Sequence, residues 1–155
     1  MKAMTPRRLV LMFIVVFVFP LLPILISGGW TSPFSWLANL IAILMIILGY
    51  ILGSWALLEN RFFSGVVRIQ KDRGHHVISS GPYHFIRHPG YAATLWAYLF
   101  TPLLLDSAWA FIPGFLLIGV LVIRTALEDQ TLHEELPGYK DYARKTRYRL
   151  LPGIW

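Results

Sequence analysis

The sequence contains no cysteine and few charged residues. Without cysteine, disulfide bonds, thiolate nucleophiles and cysteine-ligated metals are excluded. Only 14% of the 155 residues are charged, whereas 56% are hydrophobic. A soluble protein of this size could not bury so much apolar surface, so we expect an all-α integral membrane protein with a single domain over residues 1–155.

Lysine and arginine are absent from both connecting segments between the long apolar runs, at 28–35 and around 106–107. All 14 of these cations lie in the first eight residues, in the central polar segment, or from Arg124 onward. Because cytoplasmic loops retain such cations, the pattern predicts about four transmembrane helices with both termini and the centre in the cytoplasm. Juxtamembrane cations also explain the net charge of +6 without a nucleic-acid partner.

The apolar runs divide the domain into two parts. Residues 9–27 and 36–58 predict an N-terminal two-span hairpin within 1–58, and the uncharged length of the first run favours a retained span over a signal peptide. Residues 59–155 form the second part, in which 91–127 predicts a helical hairpin interrupted by Pro102. This hairpin either crosses the bilayer or enters it only in part.

Glycine spacing marks one candidate contact between helices. Gly49 and Gly53 are four residues apart in the second apolar run, which places them on one helix face. The spacing allows close approach of another helix, although two glycines also occur at this spacing by chance.

Two polar segments flank the 91–127 hairpin. In the first, at 59–87, we expect turns at 72–74 and 81–82 and short extended pieces at 66–69 and 77–78. In the second, at 128–155, the last span is expected to continue to Leu136, followed by a short helix at 139–146. The final residues, 147–155, mix arginines with large apolar side chains, which predicts an anchor at the membrane interface.

Side chains suited to catalysis or binding concentrate in these two segments. The first, together with the start of the hairpin, contains Gln70, His75, His76, Tyr83, Arg87, His88 and Tyr91, and the second, together with the end of the last span, contains Arg124, Glu128, Asp129 and His133. Arg124 and Glu128 are four residues apart and share a helix face. Arg124 is either a ligand-binding residue, an arginine that extends toward the membrane surface, or half of a surface ion pair.

Several common sites are not indicated by the sequence. The histidines lack an H-E-x-x-H motif or an accompanying set of carboxylates, so we expect no catalytic metal. A glycine-rich phosphate loop and the G-x-S-x-G motif of serine hydrolases are also absent.

Two motifs together resemble the isoprenylcysteine carboxyl methyltransferase family, within a wider group of integral membrane methyltransferases that includes phospholipid N-methyltransferases. They are GPYHFIRHPGY at 81–91 and RTALEDQTL at 124–132. The resemblance extends from about residue 59 to the end of the chain, with support from RIQKDRGHHVISS before the first motif and GYKDYARKTRYRLLPG after the second. At position 129 this chain has Asp where relatives often have a second Glu.

The resemblance implies S-adenosylmethionine as cofactor, held without a Rossmann domain in a cytoplasmic pocket that the central loop and the C-terminal segment form. It implies Arg124 and Glu128 as catalytic residues, with Arg124 facing the reacting carboxylate of the substrate. The C-terminal segment would cover the pocket as a lid. The residues expected to line the cofactor site are Gln70, His75, His76, Val77, Ile78, Tyr83, His88, Pro89, Gly90, Tyr91 and Glu128.

The expected activity is methylation of a lipophilic substrate at the membrane, with carboxyl methylation of an isoprenylcysteine-like compound as the first hypothesis. Methylation of a phospholipid or another amine is the alternative, and it would require a proton acceptor such as His75, His76 or His133. A second alternative is a non-enzymatic membrane protein that binds anionic lipids through its basic loops. The partners expected are membrane lipids and a lipophilic small-molecule or prenylated substrate, with no nucleic acid and no obligate protein partner.

Overall fold

The computed structural model describes residues 34–64 and 69–155, and the regular secondary structure in this part of the chain is entirely helical. Its α-helices are α1 (Trp36–Glu59), α2 (Pro89–Leu104), α3 (Phe111–Glu135) and α4 (Tyr139–Lys145). Short 3-10 turns lie at Lys71–Arg73, Gly81–His84 and Ala108–Ala110. The predicted all-α class is thereby confirmed for the described residues.

The predicted elements agree closely with these helices. The expected turns at 72–74 and 81–82 are present, and Gly74 ends the first of them with a positive φ of 65°. Residues 77–78, expected to be a short extended piece, are irregular and belong to no strand. The first predicted span at 9–27 and the predicted extended residues 66–68 lie outside the described residues.

Within residues 34–64 and 69–155, two helices are long and apolar enough to cross a membrane. α1 has 24 residues with a mean hydropathy of 2.4, and Ala108–Glu135, which joins the preceding 3-10 turn to α3, has 28 residues with a mean hydropathy of 2.2. Their outward faces carry exposed apolar side chains such as Leu48 and Leu116, as expected for surfaces in contact with lipid. α2 has only 16 residues, so a crossing by α2 and a total of four spans stay predictions.

Gly49 and Gly53 mark the contact between α1 and α2. A Cβ atom added at Gly49 would lie 3.3 Å from the carbonyl oxygen of Ala93, and one at Gly53 would lie 3.2 Å from the Cβ of Ala93. The close approach expected from the glycine spacing is therefore confirmed. It brings the first turns of α2 beside the C-terminal half of α1, which the charge pattern predicts to be the cytoplasmic half.

The turn between α2 and α3 reverses the chain. Asp106 adopts a positive φ of 54° in this turn, and its carboxylate accepts a hydrogen bond from the backbone N–H of Phe34 at 3.3 Å. Gly114 lets α3 approach α2, because a Cβ there would lie 3.1 Å from the carbonyl oxygen of Tyr98. That carbonyl faces Pro102, which has no N–H to donate to it.

The final residues pack on the protein, and the interfacial anchor expected at 147–155 stays a prediction. Leu150 is only 2% exposed and joins Ile86 and Ala92 in one hydrophobic cluster, against which Trp155 also packs. The backbone N–H groups of Arg87 and His88 donate to the carbonyl oxygens of Tyr148 and Arg149, each at 2.9 Å. The tail therefore covers the loop that leads into α2.

Candidate functional site

The central cavity opens where the polar ends of α1, α2 and α3 meet α4. The loop between α1 and α2 forms one wall, the first turn of α2 and the polar turns of α3 form the next, and α4 contributes two tyrosines. Its lining includes Asn60, Phe62, Phe63, Ser64, Ile69, His75, His76, Val77, Ile78, Tyr83, Arg87, His88, Gly90, Tyr91, Glu128, Thr131, Leu132, Leu136, Tyr139 and Tyr142.

Nine of the eleven residues expected to bind a cofactor line this cavity. They are His75, His76, Val77, Ile78, Tyr83, His88, Gly90, Tyr91 and Glu128. Pro89 is instead buried at the start of α2, and Gln70 is 1% exposed behind the cavity wall. The fold thus gathers residues that are up to 53 positions apart in the sequence, from 75 to 128, around one space.

Gln70 supports the wall from behind. Its side-chain Nε2 donates to the carbonyl oxygen of Phe62 at 2.6 Å, and its Oε1 accepts from the guanidinium of Arg73 at 2.8 Å. Phe62 in turn stacks on the ring of His75, with ring centroids 4.5 Å apart. Gln70 therefore positions two lining residues without lining the cavity.

Tyr83 and the tyrosines of α4 hold the cavity together on one side. The Tyr83 hydroxyl accepts from Asn60 at 3.2 Å, and the Tyr142 hydroxyl donates to the backbone carbonyl of Tyr83 at 2.7 Å. Burial raises the pKa of both phenols, so both remain protonated at neutral pH. The neighbouring Gly81 has a positive φ of 56°, and a Cβ there would lie 3.0 Å from the carboxylate of Glu59.

His75 and His76 lie on the loop wall. Burial lowers the pKa of His75, and the adjacent His76 lowers it further. His75 is accordingly neutral near pH 7, and it adds no positive charge to the cavity.

Tyr91 bridges two charged side chains of α3. Its hydroxyl donates to Oε2 of Glu128 at 2.6 Å and accepts from Nε of Arg124 at 2.8 Å. The Arg124 guanidinium also lies over the Tyr91 ring, 5.7 Å from its centroid. Glu128 lines the cavity, whereas Arg124 lies one helical turn closer to the apolar part of α3.

Asp129 forms a second polar centre on the same helix, directed away from the cavity. The carboxylate is 1% exposed and accepts hydrogen bonds from the Tyr139 hydroxyl at 2.8 Å and from Nε of Arg149 at 2.9 Å. Arg87 and His88 contact the same carboxylate at 3.2 and 3.3 Å. One buried carboxylate therefore connects α3 with α4, the tail and the loop before α2.

His133 lies outside the central cavity. Its Nδ1 is 2.8 Å from the backbone carbonyl oxygen of Asp129, and its ring packs against Tyr139. It lines a separate basic recess with Arg87, Lys140, Ala143, Arg144 and Arg149. Of the three histidines considered as proton acceptors, only His75 and His76 line the cavity.

Some residues of the site were not predicted from the sequence. Phe62, Phe63, Tyr139 and Tyr142 line the cavity, and Arg149 completes the contacts of Asp129. No local pattern marks them, because they reach the site only through the return of the tail and the fold of the loop. Asp129 itself carried one signal, its position directly after Glu128 in the second motif.

The fold and the site together define a helical protein with membrane-length apolar helices and a cavity at their polar ends. Residues 41–134 match the isoprenylcysteine carboxyl methyltransferase family. This match covers more than half of the chain, and the chain belongs to that family.

Two relatives come from rice, Oryza sativa subspecies indica and japonica, and each is named as a probable protein-S-isoprenylcysteine O-methyltransferase. Each is 34% identical to this chain over 64 residues, which is 40% of the chain. The matched stretch spans 34% of the length of each relative.

The chemistry of the cavity lining fits S-adenosylmethionine. The lining offers flat rings for a purine and one carboxylate, Glu128, for the cationic end of the molecule. Gly90 keeps part of this space open, because a Cβ there would lie 2.8 Å from the ring of Phe63.

Proposed function

We propose that this chain is an S-adenosylmethionine-dependent methyltransferase that acts on a lipophilic carboxylate, an isoprenylcysteine-like compound, at the membrane. The observation that carries the proposal is the bridge from Glu128 through the Tyr91 hydroxyl to Arg124. This bridge joins Glu128, which lines the polar cavity, to Arg124, which lies one helical turn closer to the apolar stretch of α3. The same pair of charges suits a cationic cofactor on one side and an anionic, lipid-linked substrate on the other.

Glu128 is proposed to bind the cationic end of the cofactor. Glu128 lines the central cavity. His75 lines the same cavity but is neutral, so it does not compensate the negative charge of Glu128. The remaining lining residues expected from the family resemblance would contact the rest of the cofactor, and Gln70 and Pro89 would act by supporting them from behind.

Arg124 is proposed to bind the substrate carboxylate. A guanidinium pairs with a carboxylate through two parallel hydrogen bonds, which fixes the orientation of the carboxylate as well as its position. One helical turn separates Arg124 from Glu128, so the two ligands would meet within about 5–6 Å along α3.

When bound, S-adenosylmethionine would supply a methyl group on a sulfonium sulfur, which a carboxylate oxygen takes in a single in-line displacement. The role of the protein in such a reaction is to orient the reactants and exclude water. Tyr139 and Tyr142 close one side of the cavity, and Asp129 fastens them to the loop before α2 through Tyr139. Carboxylate methylation requires no proton acceptor, whereas amine methylation would require one.

The proposed placement in the membrane follows the distribution of cations. The cavity and both termini would face the cytoplasm, and four spans would cross or enter the bilayer. The cofactor would then enter from water, while the substrate would reach Arg124 sideways from the lipid phase.

A binding titration with S-adenosylhomocysteine on detergent-solubilised protein tests the cofactor. We expect saturable binding below millimolar concentration, and no binding in that range would contradict the proposal. Transfer of a radiolabelled methyl group to N-acetyl-S-farnesylcysteine would identify the carboxylate activity, whereas transfer to phosphatidylethanolamine would favour the amine alternative. Binding to anionic vesicles without cofactor binding would indicate the non-enzymatic alternative.

A further inference from the structure

The neighbours of the Tyr91 hydroxyl determine the direction of its two hydrogen bonds. A guanidinium can only donate hydrogen bonds, so the contact from Arg124 uses a lone pair of the Tyr91 oxygen. The single proton of the hydroxyl is therefore directed to Glu128, at 2.6 Å. An anion that approaches Arg124 in this state meets the oxygen lone pairs of Tyr91, with the negative charge of Glu128 behind them.

A cation on Glu128 would change this arrangement. Once the carboxylate is paired with a positive ligand, it no longer depends on the Tyr91 proton. The hydroxyl can then turn that proton toward an anion beside Arg124, and the repulsion from Glu128 is neutralised at the same time. Both effects favour the anion only after the cation is bound.

We propose that the Tyr91 hydroxyl couples the two ligand sites, so that a cationic cofactor and an anionic substrate each strengthen the binding of the other. This inference rests on the proposed function of Glu128 and Arg124. Tyr91 acts in it as a positioning residue whose hydroxyl determines when Arg124 presents a complete anion site. Because coupling between two ligands is reciprocal, the same factor must appear in both directions.

The ring of Tyr91 has a separate role from its hydroxyl. It stacks on His88, with ring centroids 5.8 Å apart, and supports the guanidinium of Arg124 on its face. Tyr91→Phe retains both of these contacts and removes only the hydroxyl. Tyr98→Phe, a matched change on the same helix outside the cavity, serves as the control.

The test measures binding at equilibrium with the full chain in detergent. Sinefungin, which carries an amine in place of the methylsulfonium, is the cationic probe and transfers no methyl group. N-acetyl-S-farnesylcysteine is the anionic probe, and its methyl ester is the neutral control. Each is titrated alone and in the presence of saturating amounts of the other.

In the unmodified chain and in Tyr98→Phe, we expect sinefungin to tighten binding of the acid about tenfold, a factor typical of coupled sites. The ester should show no such change. In Tyr91→Phe, both probes should still bind, and the coupling should fall several-fold, to the part that neutralisation of Glu128 alone supplies.

Full coupling in Tyr91→Phe would overturn the inference, as would equal coupling for the acid and the ester. Loss of both ligands in Tyr91→Phe would also overturn it, because the hydroxyl would then be required by each site separately. If the unmodified chain transfers methyl groups but Tyr91→Phe retains its coupling, the inference fails and the proposed function stands. If the unmodified chain binds neither sinefungin nor S-adenosylhomocysteine, the proposed function fails first.

Discussion

Consecutive carboxylates on α3 occupy different surroundings and are proposed to do different work. Successive residues of a helix point about 100° apart, so Glu128 faces the central cavity while Asp129 faces the tail. Glu128 accepts a hydrogen bond from the Tyr91 hydroxyl and lies beside the open space of the cavity. Asp129 is enclosed by donors from three other segments. The first arrangement is suited to binding a ligand, and the second to holding the fold.

Replacing Glu128 should weaken binding of the cofactor, and replacing Arg124 should lower the rate of turnover. We expect Glu128→Gln to raise the dissociation constant for sinefungin, whose amine replaces the methylsulfonium, by about tenfold or more, because a charge-assisted contact is worth ~1.5–3 kcal/mol. Arg124→Ala should leave that constant nearly unchanged and lower the rate of methyl transfer. Glu135→Gln, at an exposed position on the same helix, is the control. Unchanged activity in both site variants would contradict the assignment.

Replacing Asp129 should destabilise the fold. Asp129→Asn removes the charge that compensates Arg87 and Arg149, and loss of one partner of a buried pair costs about 3–5 kcal/mol. Asp141→Asn is the matched control, since Asp141 pairs with Arg144 on the exposed surface, where such pairs contribute at most about 1 kcal/mol. Unfolding midpoints in detergent compare the two. Equal midpoints for both variants would show that the Asp129 contacts contribute little.

At the scale of helices, glycines determine how closely α1 and α2 approach. Gly49→Leu would place a side chain against the backbone of Ala93, where a Cβ alone already lies at 3.3 Å from an oxygen. We expect the free energy of unfolding to fall by about 1–3 kcal/mol because of overpacking. The cavity should also be distorted, because α2 carries the lining residues Gly90 and Tyr91. Gly119→Leu is the control, because a Cβ at Gly119 meets nothing within 4 Å. Similar unfolding midpoints for both variants would contradict this role.

The helices could be predicted from the sequence more completely than their packing. Long uncharged runs and the Pro137–Gly138 stop mark α1, α3 and the start of α4 within a few residues. The position of the tail could not be predicted, because Leu150 and Trp155 suit a lipid interface and a protein groove equally well. Only the groove beside Ile86 and Ala92, formed by distant segments, decides between them.

At the scale of the whole molecule, most of the candidate site could be anticipated from two motifs. The motif at 81–91 supplies Tyr83, His88 and Tyr91, and the motif at 124–132 supplies Glu128. The aromatic residues of α4 and the partners of Asp129 were missed, since their role depends on how the C-terminal segment folds back. The matched family covers residues 41–134, and α4 and the tail lie beyond that range.

The predicted topology can be tested by cysteine labelling, and the natural absence of cysteine removes any background. Ser79 lies exposed on the loop near the cavity, and Ser32 lies in the connecting segment before α1. We expect a membrane-impermeant thiol reagent to label Ser79→Cys only from the cytoplasmic side and Ser32→Cys only from the opposite side. Labelling of both from one side would refute the four-span arrangement.

The single turn of α3 that carries Arg124, Glu128 and Asp129 also limits how this protein can change in evolution. A substitution at one of the three positions changes the contacts of that side chain alone. An inserted or deleted residue within 125–127 would instead rotate everything after it by about 100° relative to Arg124. Glu128 would leave the cavity, and Asp129 would leave its four partners in the same event. A change in the length of this turn is therefore more disruptive than a substitution within it.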